Sequence, residues 1–121
     1  MKIEGPGKLV RIYVGESDRW HGQSLYSAIV ERARTEGLAG ATVTRGMEGF
    51  GASSRIHTAS ILRLSEDLPI KIEIVDTAER IARFLPLLDG MVAEGLITIQ
   101  DCAIIKYAAA GPQSGQAAPS E

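Results

Sequence analysis

The sequence predicts an α+β fold: a ferredoxin-like βαββαβ sandwich, in which two helices cover one face of a four-stranded antiparallel sheet. The first observation is that apolar residues follow a strand–helix–strand order twice along the 121 residues. The second is that one long polar connection separates the two units. The third is an internal repeat: Glu36–Leu38 (EGL) recurs 58 residues later as Glu94–Leu96, and this offset aligns the first unit with the second.

The first unit contains two strands and one helix. The first strand, Lys8–Gly15, alternates apolar and polar side chains and therefore has one apolar face. The helix, Gln23–Glu36, ends at Gly37, a typical C-terminal cap. Its apolar residues recur at helical spacing and predict a buried stripe of Leu25, Ala28, Ile29 and Ala33. The second strand, Ala41–Phe50, is rich in β-branched residues at its start.

The second unit repeats this order. The third strand, Ile70–Val75, alternates strictly between apolar and charged residues. Asp76 is predicted to cap the second helix, with Glu79 as the reciprocal partner of a capping box. Pro86 falls inside this helix and is expected to kink it. The fourth strand is Ile97–Tyr107, and the predicted buried stripe of the second helix is Ile81, Leu85, Leu88 and Val92.

These elements make one domain over residues 1–107, with an arm over residues 51–69. Residues 108–121 consist mainly of Ala, Gly, Pro, Gln and Ser and predict a disordered tail. An open apolar face usually packs against a partner, which favours a homo-oligomer over a monomer with a half-hydrated sheet. The residues expected on the face away from the helices are Leu9, Tyr13, Val43 and Met47.

Composition and charge exclude several classes of function. The 13 basic and 15 acidic residues give a net charge of −2, so the overall charge does not favour non-specific electrostatic binding to nucleic acid or to an acidic membrane. Aromatic residues make up 5% of the chain, too few for a base-stacking surface. No apolar run approaches the ~20 residues that cross a bilayer, so direct membrane insertion is not expected.

The cysteine and histidine content predicts neither a disulfide framework nor a metal site. Cys102 is the only cysteine, a usage typical of a reducing compartment, and a cytoplasmic location is expected. His21, His57 and Asp18 do not form, with Cys102, the spacing of metal ligands.

The long connection is the most unusual segment of the chain. About 19 residues separate Phe50 from Ile70, whereas hairpin loops usually have ~2–5. Loops of this length are usually functional or disordered. Length alone leaves two interpretations open: an ordinary flexible excursion, or a mobile arm that contacts a ligand at its base and a partner at its tip.

The base of the arm favours a ligand contact. Gly49 and Gly51 lack side chains, so backbone amides there can approach a ligand closely. Arg45 and Arg55 bracket the turn and are suited to phosphate. His57 is suited to a hydrogen bond, either with a ligand or within the protein.

The residues at the base of the arm and in the flanking strands resemble a known family. The segment GLAGATVTRGMEGFGASSRIHT resembles the part of PII signal-transduction proteins in which Thr-Val-Thr is followed by Gly-Phe-Gly and then His-Thr, and LPIKIEIVD resembles the strand after the PII T-loop. The runs YVGESDRWHG, from Tyr13 to Gly22, and SEDLPI, from Ser65 to Ile70, are similar to those of the PII-like family called domain of unknown function 190. The resemblance covers Lys8 to Tyr107.

The resemblance implies a PII-like homotrimer that binds adenine nucleotides in clefts between subunits. The nucleotide would set the conformation of the T-loop-like arm, and the arm would engage a target protein such as a membrane transporter or an enzyme. By motif position, Thr42 and the backbone near Val75 would face the adenine. Gly49, Phe50 and Gly51 would form the base of the arm beside the nucleotide. The chain would then be a regulatory binding protein with no catalytic residues of its own.

Departures from the PII pattern narrow the expected ligand. The turn before the last strand, EGLITIQDC, has neither the lysine nor the glycine cluster that holds phosphates in PII. Ala52 and Ser53 replace the glutamine after Gly-Phe-Gly, and the segment AAAGPQSGQ contains no arginine. AMP, ADP or a cyclic nucleotide is therefore favoured over ATP with magnesium, and no other cofactor is expected.

Two other functions remain open on the same fold. One is a small isomerase or hydrolase, with His57 and either Glu48 or Glu73 as acid and base, although no motif spacing supports this pair. The other is a structural adaptor whose arm binds a protein without a small ligand. Trp20 and His21 also allow two interpretations: a second wall of a ligand site, or a loop that packs over the start of the helix.

Overall fold

The computed structural model describes residues 1–51, 57–58 and 67–110. It confirms the α+β class, with two helices and a four-stranded sheet whose neighbouring strands are all antiparallel. The strands are β1 (Lys2–Gly15), β2 (Thr42–Arg45), β3 (Pro69–Asp76) and β4 (Leu96–Ala108), and the helices are α1 (Leu25–Thr35) and α2 (Ala78–Met91). The strand order across the sheet is β2-β3-β1-β4, which is the ferredoxin-like arrangement.

The hydrophobic core lies between the sheet and the two helices. Alternate residues of the two central strands point into it, because side chains along a strand alternate between the two faces. The directly opposed pairs are Val10 with Ile74, Ile12 with Ile72 and Val14 with Ile70. The buried residues of α1 are the predicted four, Leu25, Ala28, Ile29 and Ala33.

The buried stripe of α2 differs in part from the prediction. Phe84 and Met91 are buried, whereas Leu85 and Val92, which were predicted in their place, are half-buried at the edge of the core. Ile81 and Leu88 are buried as predicted. The observed spacing of three, four and three residues centres the stripe on one line of the helix surface, as a period of 3.6 requires.

The predicted cap of α2 is wrong by one residue. The N-cap is Thr77, whose Oγ1 accepts a hydrogen bond from the Arg80 amide at 3.3 Å. Asp76 is the last residue of β3 and is fully buried. Glu79, the predicted reciprocal partner, instead forms an ion pair with Arg83 at 3.4 Å.

Several strand boundaries also differ, and β1 begins at Lys2, six residues before the predicted start at Lys8. The second strand of the sheet ends at Arg45; the next residue, Gly46, still donates its amide to the Pro69 carbonyl at 2.7 Å, and the chain bends at Met47. Glu48–Gly49 then pairs with His57–Thr58 in a separate two-residue ladder at the base of the arm. β4 runs to Ala108, which was predicted to open the tail, and the rest of that predicted tail from residue 111 onward lies outside the described residues.

The open face of the sheet is more polar than predicted. Val43 does not lie on it: Val43 is directly opposite the core residue Ile72 and therefore faces the helix side. Met47 lies beyond the end of β2, with 78% of its surface exposed. Leu9 and Tyr13 do lie on the open face, opposite Val75 and Leu96 in neighbouring strands, respectively.

Polar side chains cross the middle of this open face. Arg11 donates to the Glu73 carboxylate at 2.9 Å and to Gln100 Oε1 at 2.7 Å, and Lys71 Nζ lies 3.7 Å from the same carboxylate. The hydrogen bond from Arg11, with a smaller contribution from Lys71, lowers the pKa of Glu73. The open face is therefore a mixed surface and not a continuous apolar patch.

Candidate functional site

A cavity of about 370 Å³ lies at one end of the sheet. Four short segments line it: residues 13–15 at the end of β1 with residue 18 just after it, residues 49–51 at the entry to the arm, residues 67 and 69 at its return, and residues 94–96 at the turn into β4. The volume is within the usual range of small-ligand sites, ~300–1,000 Å³.

Glycine at two positions allows these segments to converge. Gly95 has φ +156, and a Cβ there would lie 2.7 Å from the Tyr13 carbonyl oxygen, so the turn before β4 packs directly on the β1 backbone. A Cβ on Gly15 would overlap the Asp67 carboxylate. Gly95 thus lets two backbone segments approach more closely than any side chain permits, and Gly15 leaves space for the Asp67 carboxylate.

The loop after β1 holds both ends of the arm. Glu16 pairs with Arg45 at the entry, with 3.1 Å between Oε1 and Nε. At the return, the Ser17 amide donates to Asp67 Oδ1 at 2.5 Å, and the Glu16 amide donates to the Leu68 carbonyl at 2.8 Å. The loop after β1 therefore contacts the segments on both sides of the arm directly.

The structure brings three of the predicted site residues together. Gly49, Phe50 and Gly51 all line the cavity, and Phe50 has 69% of its surface exposed. Arg45 lies close by, but it pairs with Glu16 and is not part of the lining. Three predicted nucleotide contacts therefore share one wall.

The remaining predicted site residues lie elsewhere. Thr42 and Val75 lie on the open face of the sheet, opposite Glu73 and Leu9, and neither lines the cavity. The backbone of His57 pairs with Gly49. Arg55 and the tip of the arm lie outside the described residues.

The acidic lining of the cavity was not predicted. Asp18, Asp67 and Glu94 line it, and the described lining residues include neither Lys nor Arg. The packing role of Gly95 was not predicted either. Its contact with Tyr13, and the approach of Asp67, depend on how distant segments meet, for which the sequence pattern carries no signal.

Trp20 and His21 form a separate feature. The pairs Arg19–Trp20 and Gln23–Ser24 make a short hairpin, whose turn residues His21 and Gly22 have φ 46 and 87. The two rings stack with 4.1 Å between centroids. Trp20 is half-buried against the core and lines no part of the cavity, which favours the packing interpretation over the ligand wall.

The described part of the chain shows neither a metal-binding group nor a membrane span. Within residues 1–51 and 67–110, no set of three or more His, Cys, Asp or Glu side chains could hold a metal ion. Among the described helices, neither is long and apolar enough to cross a bilayer.

Comparisons with known proteins agree on one family. The DUF190 family, described as "Uncharacterized ACR, COG1993", matches residues 7–104. A UPF0166 protein of Aquifex aeolicus is 39% identical over 98 residues, which is 81% of this chain and 92% of the relative. A UPF0166 protein of Methanocaldococcus jannaschii is 40% identical over 100 residues, or 82% and 92% of the two chains.

Solved structures show the same fold at lower identity. A putative PII-like signaling protein from Thermus thermophilus matches with a TM-score of 0.60 and 22% identity, over 83% of this chain and 90% of that chain. The protein CPII from Thiomonas intermedia, bound to ADP and bicarbonate, matches with a TM-score of 0.56 and 18% identity, over 82% and 88%.

Proposed function

Because this chain belongs to the DUF190 family, we propose that it is a PII-like signal-transduction protein that binds an adenine nucleotide and regulates a partner protein through the arm at residues 51–69. AMP, ADP or a cyclic nucleotide is the proposed ligand. The partner is a protein such as a transporter or an enzyme, and the chain itself performs no catalysis.

The single observation that carries this proposal is that one wall of the cavity is the base of the arm. A ligand in the cavity contacts Gly49, Phe50 and Gly51, which are the last described residues before the arm extends. Its binding energy therefore depends on the conformation of the arm base. A ligand that binds one conformation better shifts the population toward it, and a partner that recognises that conformation responds.

The likeness to CPII supports the choice of ligand. CPII shares the fold and was solved bound to ADP and bicarbonate, and a second structure of CPII was bound to ADP, AMP and bicarbonate. An apolar surface from Tyr13, Phe50 and Leu96 offers a place for a planar base.

We propose in addition a homotrimer with the nucleotide in a cleft between subunits. In the described part of the chain, β2 and β4 each pair on one side only, and unpaired strand edges favour association with another chain. Ile105 on β4 has 84% of its surface exposed. Thr42 and Val75, which the family resemblance assigns to the adenine, lie away from the cavity of their own chain and would reach a ligand from a neighbouring copy.

Calorimetry tests the nucleotide part directly. The purified protein is expected to bind at least one of AMP, ADP and cyclic AMP with a Kd on the order of 1–100 μM, at one site per protomer. Native mass spectrometry of the same sample should show three protomers of 12.9 kDa each. Absence of heat with AMP, ADP, cyclic AMP and ATP alike would contradict nucleotide binding.

Deletion of residues 52–63, closed by a short Gly-Ser linker, tests the role of the arm. We expect loss of partner capture from an extract of the source cells, with the melting temperature unchanged, because both ends of the arm stay anchored by Glu16–Arg45 and Ser17–Asp67. Deletion of residues 111–121 is the control and should leave capture intact. Unchanged capture by the arm deletion would show that the arm is not the partner-binding element.

A further inference from the structure

We infer that the cavity selects the nucleoside end of its ligand and rejects phosphate groups, and that Asp18, Asp67 and Glu94 are the specificity-determining residues. This inference rests on the proposed function, because it assigns the orientation and charge of the adenine compound in the same cavity. It predicts a rank order of affinity that falls as phosphates are added.

Two of the three carboxylates are fixed by the protein backbone. Asp67 accepts from the Ser17 amide at 2.5 Å, and Asp18 accepts from the Gly15 amide at 2.9 Å. A carboxylate that accepts a backbone hydrogen bond has fewer accessible positions than a solvated one. The two charges are therefore held at the cavity wall and do not turn away when an anion approaches.

No cation compensates these charges within residues 1–51 and 67–110. The nearby Glu16 is paired with Arg45, but none of Asp18, Asp67 and Glu94 forms an ion pair there. Protein sites that hold phosphate supply cations or several converging amide donors. The described part of this wall supplies carboxylates and no cations, so its negative charges repel a nearby phosphate.

Such a wall suits ligands that carry hydrogen-bond donors. Carboxylate oxygens are acceptors only, and they pair with hydroxyl and amino donors. A nucleoside carries both kinds of donor, on the ribose and on the exocyclic nitrogen of adenine. The rest of the lining contains apolar side chains, including Tyr13, Phe50 and Leu96, that suit the uncharged ring. The nucleoside therefore fits the chemistry of the wall, and the phosphates are left to point out of it.

Calorimetric titration with adenosine, AMP, ADP and ATP, without magnesium, tests this inference. On the wild-type protein, affinity in low salt should fall from adenosine to AMP by about three- to ten-fold, because like charges a few Å apart repel by this order, and by less at each later step to ADP and ATP, because each added phosphate lies farther from the carboxylates. In 0.5 M salt the steps should shrink, since the Debye length falls below about 5 Å.

Neutralising variants identify the residues. Glu94→Gln is the primary variant, because Glu94 is exposed at the cavity rim and its replacement leaves the core untouched. It should raise the affinity for ATP by about three-fold or more, whereas the affinity for adenosine should not rise, because the amide oxygen still accepts a hydrogen bond but carries no charge. Asp67→Asn keeps an oxygen acceptor for the Ser17 amide and should act in the same direction. Glu79→Gln, on the exposed side of α2, is the matched control and should change neither affinity.

The outcomes separate the two proposals. If the wild-type protein binds ATP at least as tightly as AMP, or if Glu94→Gln and Asp67→Asn both leave the ATP-to-adenosine ratio unchanged, the charge selection is overturned while nucleotide binding stands. If none of the adenine compounds binds, the proposed function fails and this inference fails with it.

Discussion

Replacement of Asp76 by alanine should lower the free energy of unfolding by about 2–4 kcal/mol. Asp76 is fully buried, and its two carboxylate oxygens accept from the Thr77 amide at 2.7 Å and the Ala39 amide at 2.9 Å. Alanine would leave both partly buried donors without these acceptors, and a donor left unsatisfied inside the protein costs more than its hydrogen bond contributes.

The expected effect is large because Asp76 connects several elements. It ends β3, begins the turn into α2, and reaches the segment after α1 through Ala39. Arg80 Nε lies 3.6 Å from the same carboxylate, and its guanidinium also donates to the Gly37 carbonyl. Tyr107 of β4 donates to the Ala39 carbonyl at 3.0 Å. Loss of one side chain thus loosens contacts among β3, β4 and both helices.

Urea denaturation at matched protomer concentration is the measurement, because association would make the midpoint depend on concentration. The control is Glu79→Ala in the first turn of the same helix, which removes only the exposed pair with Arg83 and should cost less than about 0.5 kcal/mol. A change of that small size in Asp76→Ala as well would refute the structural role of this carboxylate.

The sheet and helices could be predicted because burial imposes a period on the sequence. In β3 the core residues Ile70, Ile72 and Ile74 alternate with Lys71 and Glu73, and this pattern fits only a strand with one buried face. α1 has its apolar residues at helical spacing and a glycine at its end with φ +82. These signals come from residues that are close together in sequence, so they can be recognised without knowledge of the tertiary structure.

The cap of α2 shows where local signals stop. Asp76 and Thr77 are adjacent, and both residue types are good N-caps. What separates them is the amide of Ala39, which is distant in sequence and engages the Asp76 carboxylate. Thr77 is then left to accept from Arg80. The choice is made by tertiary structure, and no pattern within the helix reveals it.

Some residues of the candidate site could likewise be predicted from the sequence, and others could not. The glycine motif at Gly49–Gly51 could be found because a resemblance to a known family marks it, and the structure places it in the cavity wall. Asp67 and Glu94 could not, because they become neighbours of that motif only when the return of the arm and the turn before β4 meet. Val43 was assigned to the wrong face because the face follows from the register with β3, in which Val43 lies opposite the buried Ile72.

Replacement of Gly51 by leucine should weaken nucleotide binding by at least about ten-fold, or about 1.4 kcal/mol, without changing the fold. A Cβ built on Gly51 meets nothing within 4 Å in the described part of the chain, so the leucine side chain has room to extend beside the cavity. Gly49 is a poorer choice, because a Cβ there would lie 3.2 Å from Pro69 Cγ and the substitution would also strain the ladder with His57.

Gly40 supplies the matched control, since a Cβ there also meets nothing within 4 Å and Gly40 does not line the cavity. Gly40→Leu and Gly51→Leu should both melt within about 3 °C of the wild-type protein in the absence of nucleotide, because surface substitutions usually change the free energy of unfolding by ~0.5 kcal/mol or less. Only Gly51→Leu should lose affinity in the titration with AMP and ADP. Equal affinity of the two variants would place the nucleotide away from the base of the arm, and the arm could then no longer sense it by direct contact.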